Sequence, residues 1–299
     1  MVKLYKKSNT RKYKFIGGVE TEKYFIQCKN TEDISKWLIN TNPLDINQER
    51  AIIEALLQDE RFISNLKVIV KISESSTIEK EYNIANILKI IPGFILFICK
   101  MSCKDNIDRY KSKIQNTTIC SNNENDNSHN LLIMPYISGG SMRAYNWINN
   151  DNKLISCLSQ LIISLMLAFE QFGFLHSDIH LDNVLLRETQ KETIKYNDNY
   201  NIKTERLQIC IMDFDKSFIG VERSNTSEFY KDIQKIFYEL MYTMKLNFIN
   251  QKEIMKFLND RVFENTSLKD INQLLILVNG INSVNKRPDA PLIYNAYIF

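Results

Sequence analysis

Two strongly apolar stretches flank a dense group of ionisable side chains, and this constrains the fold more than any other feature. Residues 154–169 form an apolar run of 16 residues bracketed by Lys153 and Glu170. It contains Ser and Gln and is too short to cross a bilayer, so it reads as a buried helix, with Gly173 as its C-cap. Residues 184–187 read as a short buried strand. Between them, FGFLHSDIHLDNVLL (172–186) carries His176, Asp178, His180, Asp182 and Asn183. Polar groups concentrated between two buried elements mark a functional loop on a rigid scaffold. A metal site from His176 and His180 and a purely structural polar loop are the alternatives at this point.

The chain divides near residues 135–140. The N-terminal part begins with a basic arm: the first 14 residues carry six basic and no acidic side chains. It is expected to be solvated, and no other feature indicates nucleic acid. Residues 13–28 read as two short strands around a Gly17-Gly18 turn. Residues 31–63 follow helical spacing in two pieces separated by Pro43. LKVIVKI (66–72) reads as a buried strand, followed by a helix over 76–90 that Pro92-Gly93 ends. Residues 94–101 and 131–137 are predicted strands; 104–130 is a polar insertion whose part 121–130, with almost no apolar content, is expected to be disordered. Beyond Gly140 the patterns turn helical: a short helix over 141–150, the long one, strands at 184–187 and 207–212 around a polar insertion (188–206), and helices from 225 onward.

Composition narrows the class. Lys plus Arg is 38 and Asp plus Glu 35, a net charge of +3, which argues neither for nor against a polyanionic partner. With 8 Gly and 5 Pro in 299 residues, an all-β sandwich is disfavoured. The six cysteines make no C-x-x-C pair, which disfavours a disulfide framework and fits a reducing, intracellular, cytoplasmic setting. Cys99 and Cys103 read as packed apolar side chains. The N-terminus has no apolar signal region, and no membrane span is expected. The abundance of Asn, Ile and Lys is similar to that of A/T-rich genomes such as those of large DNA viruses.

Three further groups carry chemistry. Asp213 ends the apolar run 207–212; a carboxylate there needs a cation or a donor. With Asn183 it would offer hard oxygen ligands to Mg²⁺. Lys71, in the middle of a buried strand, needs an anionic partner. Glu81 is in phase with the apolar face of the following helix (Ile78, Tyr82, Ala85, Leu88), with Glu79 as the alternative.

In this order, these residues resemble the protein-kinase-like superfamily over residues 13–299. VIVK resembles the V-A-I-K strand, and IEKEYNIANIL the helix whose Glu, here Glu81, pairs with the strand Lys, here Lys71. LLIMPYISGGSM is similar to a kinase hinge, with Met134 as gatekeeper and the backbone of Pro135, Tyr136 and Ile137 facing adenine, above Leu185. HSDIHLDN resembles the H-x-D-x-x-x-x-N catalytic loop, and DFD (213–215) stands where D-F-G is expected. Asp232 resembles the helix Asp that braces that loop, and KRPDAP a C-terminal R-P-x-A segment. The resemblance implies an α+β, two-lobed kinase-like fold: a small antiparallel-sheet N-lobe (13–137) with one key helix and insertions at 31–63 and 104–130, then a larger helical C-lobe (138–299) containing loop 176–183. It implies ATP as phosphate donor, Mg²⁺ at Asn183 and Asp213, Asp178 as the base, Lys71 on the α- and β-phosphates, His180 near the γ-phosphate, and backbone near Gly17 and Gly18 over the phosphates.

The departures are specific. Ser177 replaces the Arg before the catalytic Asp. His180 stands where a Lys is usual, as in haspin-like kinases and the aminoglycoside and choline phosphotransferases. Asp215 replaces the D-F-G glycine, as Gly substitute or extra metal ligand. Only 18 residues (214–231) separate Asp213 from Asp232, with no A-P-E triplet. Gly17-Gly18 also reads as an ordinary hairpin turn. Three functions remain open: an atypical Ser/Thr protein kinase with a protein substrate, which the resemblance favours; a small-molecule phosphotransferase; and a non-catalytic binding scaffold.

Overall fold

The computed structural model describes residues 3–4, 26–27, 38–46, 50–57, 66–73, 75–120, 123, 125–263, 268–281 and 285–286. The chain is α+β, and its contacts separate two compact units. One holds the described residues up to Asn86 together with Ile95–Tyr136, and the other Ile87–Phe94 and the described residues from Ile137 onward. The short segment Ile87–Phe94 thus joins the second unit, although the sequence places it inside one continuous N-terminal region.

The first unit is built on a five-stranded antiparallel sheet, with strand order β3-β4-β5-β7-β6. A two-stranded ladder joins β1 (Lys3–Leu4) to β2 (Ile26–Gln27). The large sheet contains β3 (Leu38–Ile46), β4 (Arg50–Leu57), β5 (Leu66–Ser73), β6 (Cys99–Asp105) and β7 (Asn127–Pro135). Helix α1 (Ser75–Leu88) follows β5. The helical expectation for 31–63 is wrong where the residues are described. Along β4, Ala51, Ile53, Ala55 and Leu57 are buried and the residues between them only half-buried, which is strand periodicity. The two alanines complete an alternating buried face that the spacing of Ile52, Ile53, Leu56 and Leu57 had disguised as a helix. Pro43 lies on the edge strand β3 beside a register shift, where a missing N–H is tolerated.

The strand predicted at 94–101 forms at Cys99–Asp105. The expectation of disorder over 121–130 fails among the described residues, of which 127–130 lie in β7, and the polar residues before them are ordered too. Asp105 is fully buried and accepts from Tyr110 Oη (2.5 Å), Cys120 N (2.9 Å), Arg109 Nη1 (2.8 Å) and Asn106 N (2.8 Å). Four donors satisfy one carboxylate, and a polar sequence folds around it as a 3₁₀ turn, Ile107–Tyr110. Cys103 is bonded to Cys120 and Cys99 is disulfide-bonded as well, so neither is the packed thiol the sequence suggests.

In the second unit, α2 (Asp151–Phe172) is the central helix, buried from Ser156 to Phe169. It is long and apolar enough to cross a membrane, but 83% of its apolar window is packed inside the protein. Gly173, in the left-handed conformation (φ 60°), ends it, with its N–H on Phe169 O at 2.8 Å. β8 (Val184–Glu188) pairs with β11 (Leu207–Ile211), and the intervening segment, read as an insertion, forms its own hairpin of β9 (Thr193–Lys195) and β10 (Asn201–Lys203). From α2, the buried Gln160 amide binds the free edge of β11, accepting from Ile209 N (3.2 Å) and donating to Leu207 O (2.9 Å). Gly93 accepts from Ile211 N at 2.7 Å, and a Cβ there would run into Ser164, so this approach requires glycine. Residues 141–150 form successive turns instead of the expected short helix. Helices α3 (Thr226–Tyr238), α4 (Gln251–Phe263) and α5 (Ile271–Asn279) follow, with β12 (Leu246–Asn247) paired to β13 (Asn285–Lys286).

Candidate functional site

In the first unit, Lys71 stands on β5, opposite Ile52 of β4 and Leu132 of β7. Its ammonium is 2.5 Å from Glu81 Oε1, and the two side chains are only 6% and 1% exposed. The partner is Glu81, as the helix phase predicts. Glu79, the alternative, pairs with Lys100 on the exposed side, and that contact holds its carboxyl below the usual range. Met134 is buried on β7 opposite Ile69, and Pro135 closes the strand opposite Val68. Tyr136 N donates to Lys67 O (3.1 Å), and the Lys67 ammonium lies 3.8 Å over the Tyr136 ring. Gly17 and Gly18 lie outside the described residues, as do the R-P-x-A segment and all of the basic arm but Lys3–Leu4. The hairpin beside the Lys71 strand is β3–β4, joined by residues 47–49, Asn-Gln-Glu, which contain no glycine.

In the second unit, the β8–β11 hairpin brings the ends of two chain segments together. Ile211 pairs with Val184, and Met212 N donates to Asn183 O at 3.0 Å, so Asn183 and Asp213 follow from adjacent strand ends. Asn183 Nδ2 donates to Asp178 O (3.1 Å), which orients its amide oxygen as the end available to a cation. Ser177 (φ 63°) and Asp213 (φ 66°) both adopt left-handed backbone, a conformation that costs a non-glycine residue about 1 kcal/mol or more and persists where the surroundings enforce it. The enforcement is visible around Ser177. The buried Asp232 carboxylate on α3 accepts from His176 N (2.9 Å) and Ser177 N (3.0 Å), and Lys235 donates to Ser177 O (2.8 Å).

His176 is fully buried, and its Nε2 donates to Met212 O (2.9 Å), tying the loop to the segment carrying Asp213. Desolvation by burial pushes its pKa below the ordinary value, so the ring is neutral and Nδ1 is unprotonated. Nε2 is committed to this brace, and among the described residues no group of three metal-capable side chains includes His176 or His180. Phe94, Phe174 and Phe214 pack edge-on behind it, with ring centroids 5.5–6.1 Å apart. Leu185 is half-buried on β8, opposite Cys210, and Ile137 is buried at the start of the unit.

Several contributors were not assigned a role from the sequence. Lys216 lies 2.7 Å from Asp178 Oδ2. Glu239 accepts from Leu181 N (2.8 Å) and pairs with Arg143 (3.0 Å), which also reaches Asp182 (2.5 Å). His180 Nδ1 is 3.9 Å from the same Asp182 carboxylate. The only signal for Lys216 was a cation three residues after Asp213; Arg143 and Glu239 lie far from the loop in sequence and carry no local signal.

In comparisons with known proteins, no family model matches the chain. An uncharacterized protein of Caenorhabditis elegans, ZK177.2, is 29% identical over 119 residues, which cover 38% of this chain and 39% of that protein.

Proposed function

We propose that the protein is an ATP- and Mg²⁺-dependent phosphotransferase, and within that class an atypical Ser/Thr protein kinase with a two-lobed kinase-like fold. The observation that carries this reading is the loop 176–183 with its partners. Asp178, Asn183 and Asp213 are held by backbone bonds on a braced scaffold, with two residues in enforced left-handed conformations. The buried Lys71–Glu81 pair supports it, because a lysine fixed in a sheet by a carboxylate is poised for an anionic ligand. The amide oxygen of Asn183 and the carboxylate of Asp213 are hard donors that suit Mg²⁺, which when bound neutralises charge on the phosphates. Asp178 would accept the proton of the acceptor hydroxyl, Lys71 would bind the α- and β-phosphates, and Met134, Pro135, Tyr136, Ile137 and Leu185 would line the adenine. The preference for a protein hydroxyl rests on the G-G-S-M and R-P-x-A resemblances. The Cys103–Cys120 bond and the disulfide-bonded Cys99 argue against the reducing, cytoplasmic setting expected from the cysteine spacing.

The test is transfer of labelled γ-phosphate from Mg·ATP to generic protein acceptors and to the protein itself, beside Asp178→Asn. The expected result is labelled protein that falls by about 10²-fold or more in the variant. Equal labelling by the two proteins overturns the role of Asp178. A binding scaffold is the second reading, favoured by the glycine-free connection at 47–49 beside the Lys71 strand. It predicts no transfer to any hydroxyl acceptor.

A further inference from the structure

We propose that Lys216 is the fixed cation of the transfer step, orienting the Asp178 carboxylate and meeting the negative charge on the phosphoryl group as it moves; this rests on the phosphotransfer reading above. The ammonium lies 2.7 Å from Asp178 Oδ2, and that hydrogen bond holds the lysine further above its ordinary pKa. The carboxylate's Oδ2 is thereby occupied, and Oδ1 is left as the atom that can receive a proton.

The backbone carrying Lys216 is fixed on the same loop. Phe218 N donates to Leu175 O (2.8 Å), Leu175 N to Phe218 O (3.0 Å), Ser217 Oγ to His176 O (3.1 Å), and Ser217 N to Phe214 O (3.1 Å). Residues 214–218 are therefore stitched to 174–176, immediately before Asp178. Both side chains remain accessible, Lys216 at 63% and Asp178 at 35%, as groups that meet an incoming substrate must be. The rival cation is His180. Its Nδ1 faces the Asp182 carboxylate at 3.9 Å, whereas the Lys216 ammonium is the cation bonded to Asp178.

The chemistry asks for such a charge. The acceptor oxygen bonds to the γ-phosphorus while the bond from that phosphorus to the bridging oxygen breaks, its electron pair leaving with ADP. The acceptor proton passes to Asp178 Oδ1. Negative charge is shared among the transferring, attacking and leaving oxygens, and a preorganised cation beside the base stabilises it. Lys216 forms no covalent bond and gives up no proton.

The experiment compares wild type, Lys216→Met, Lys216→Arg and Asp178→Asn for kcat, for KM of Mg·ATP and for melting temperature. Lys216→Met should lower kcat by about 10²-fold. Its KM should change less than about threefold, and its melting temperature should hold, because an exposed side chain contributes little to stability. Lys216→Arg should recover most of the rate, since it keeps the charge. The proposal is overturned if Lys216→Met retains kcat within about twofold, if the Arg variant is no better than Met, or if the loss follows a fall in melting temperature. A wild type that transfers no phosphate removes the phosphotransfer reading itself, and the assignment with it. An active wild type that ignores the Lys216 changes removes the assignment alone.

Discussion

Glu81→Ala is the sharpest perturbation of the first unit. It removes the carboxylate from a pair whose side chains are 6% and 1% exposed, and leaves the Lys71 ammonium in the sheet without it. Removing one partner of a buried pair costs about 3–5 kcal/mol, whereas replacing both by apolar side chains is often neutral or stabilising. Glu81→Ala should therefore lose about 3–5 kcal/mol, and Lys71→Met/Glu81→Leu should return to within about 1 kcal/mol of wild type. Glu79→Ala is the internal control. Its carboxylate is 49% exposed beside Lys100, and an exposed pair contributes about 0–1 kcal/mol before solvent screening is discounted. Equilibrium urea unfolding followed by far-ultraviolet circular dichroism reads these differences, and Glu81→Ala should melt roughly 10 °C lower. Two results would refute the reasoning: Glu81→Ala within about 1 kcal/mol of wild type, or a double variant as unstable as the single one.

Two other expectations concern pH and redox state. Burial holds the folded pKa of His176 below its unfolded value, so the folded protein binds fewer protons and this contribution to stability rises with pH. It is complete above the unfolded value of about 6.5 and is lost as pH falls below it; the melting temperature between about pH 8 and pH 5 should drop more steeply in wild type than in His176→Gln, and equal slopes would contradict this. Removing the Cys103–Cys120 bond, a link across 17 residues, by Cys103→Ser should cost about 3 kcal/mol under oxidising conditions, and a variant as stable as wild type there would contradict this.

The site was more legible in the sequence than the fold around it. Lys71, Glu81, Asp178, Asn183 and Asp213 could be singled out because each breaks a local rule, standing as a charge or amide against an apolar pattern; Asp232 was marked by the resemblance alone. Glu81 was chosen over Glu79 by helical phase alone, and their two partners separate them as that phase predicts. The strands β3 and β4 were misread because Ala51 and Ala55, the small half of the buried face, carry almost no hydrophobic signal. The order of segment 104–120 was not legible because a buried carboxylate and a cross-link hold it, and neither has a period. Lys216, Arg143 and Glu239 act through tertiary neighbours brought from elsewhere in the chain, so a one-dimensional pattern does not mark them.

Asp232 and Glu239 lie seven positions apart, two helical turns, and each holds backbone N–H groups at opposite ends of the same loop. The helix therefore acts as a ruler: it sets the separation of two pegs over which residues 176–181 are strung. A ruler of this kind tolerates changes of side chain only where it faces outward, since Ile233, Ile236 and Phe237 are buried, and tolerates no change of length. One residue inserted within 233–238 would turn the second peg by about 100° and carry it away from Leu181. Evolution along this stretch would be free in composition only at its outward positions and fixed in count throughout.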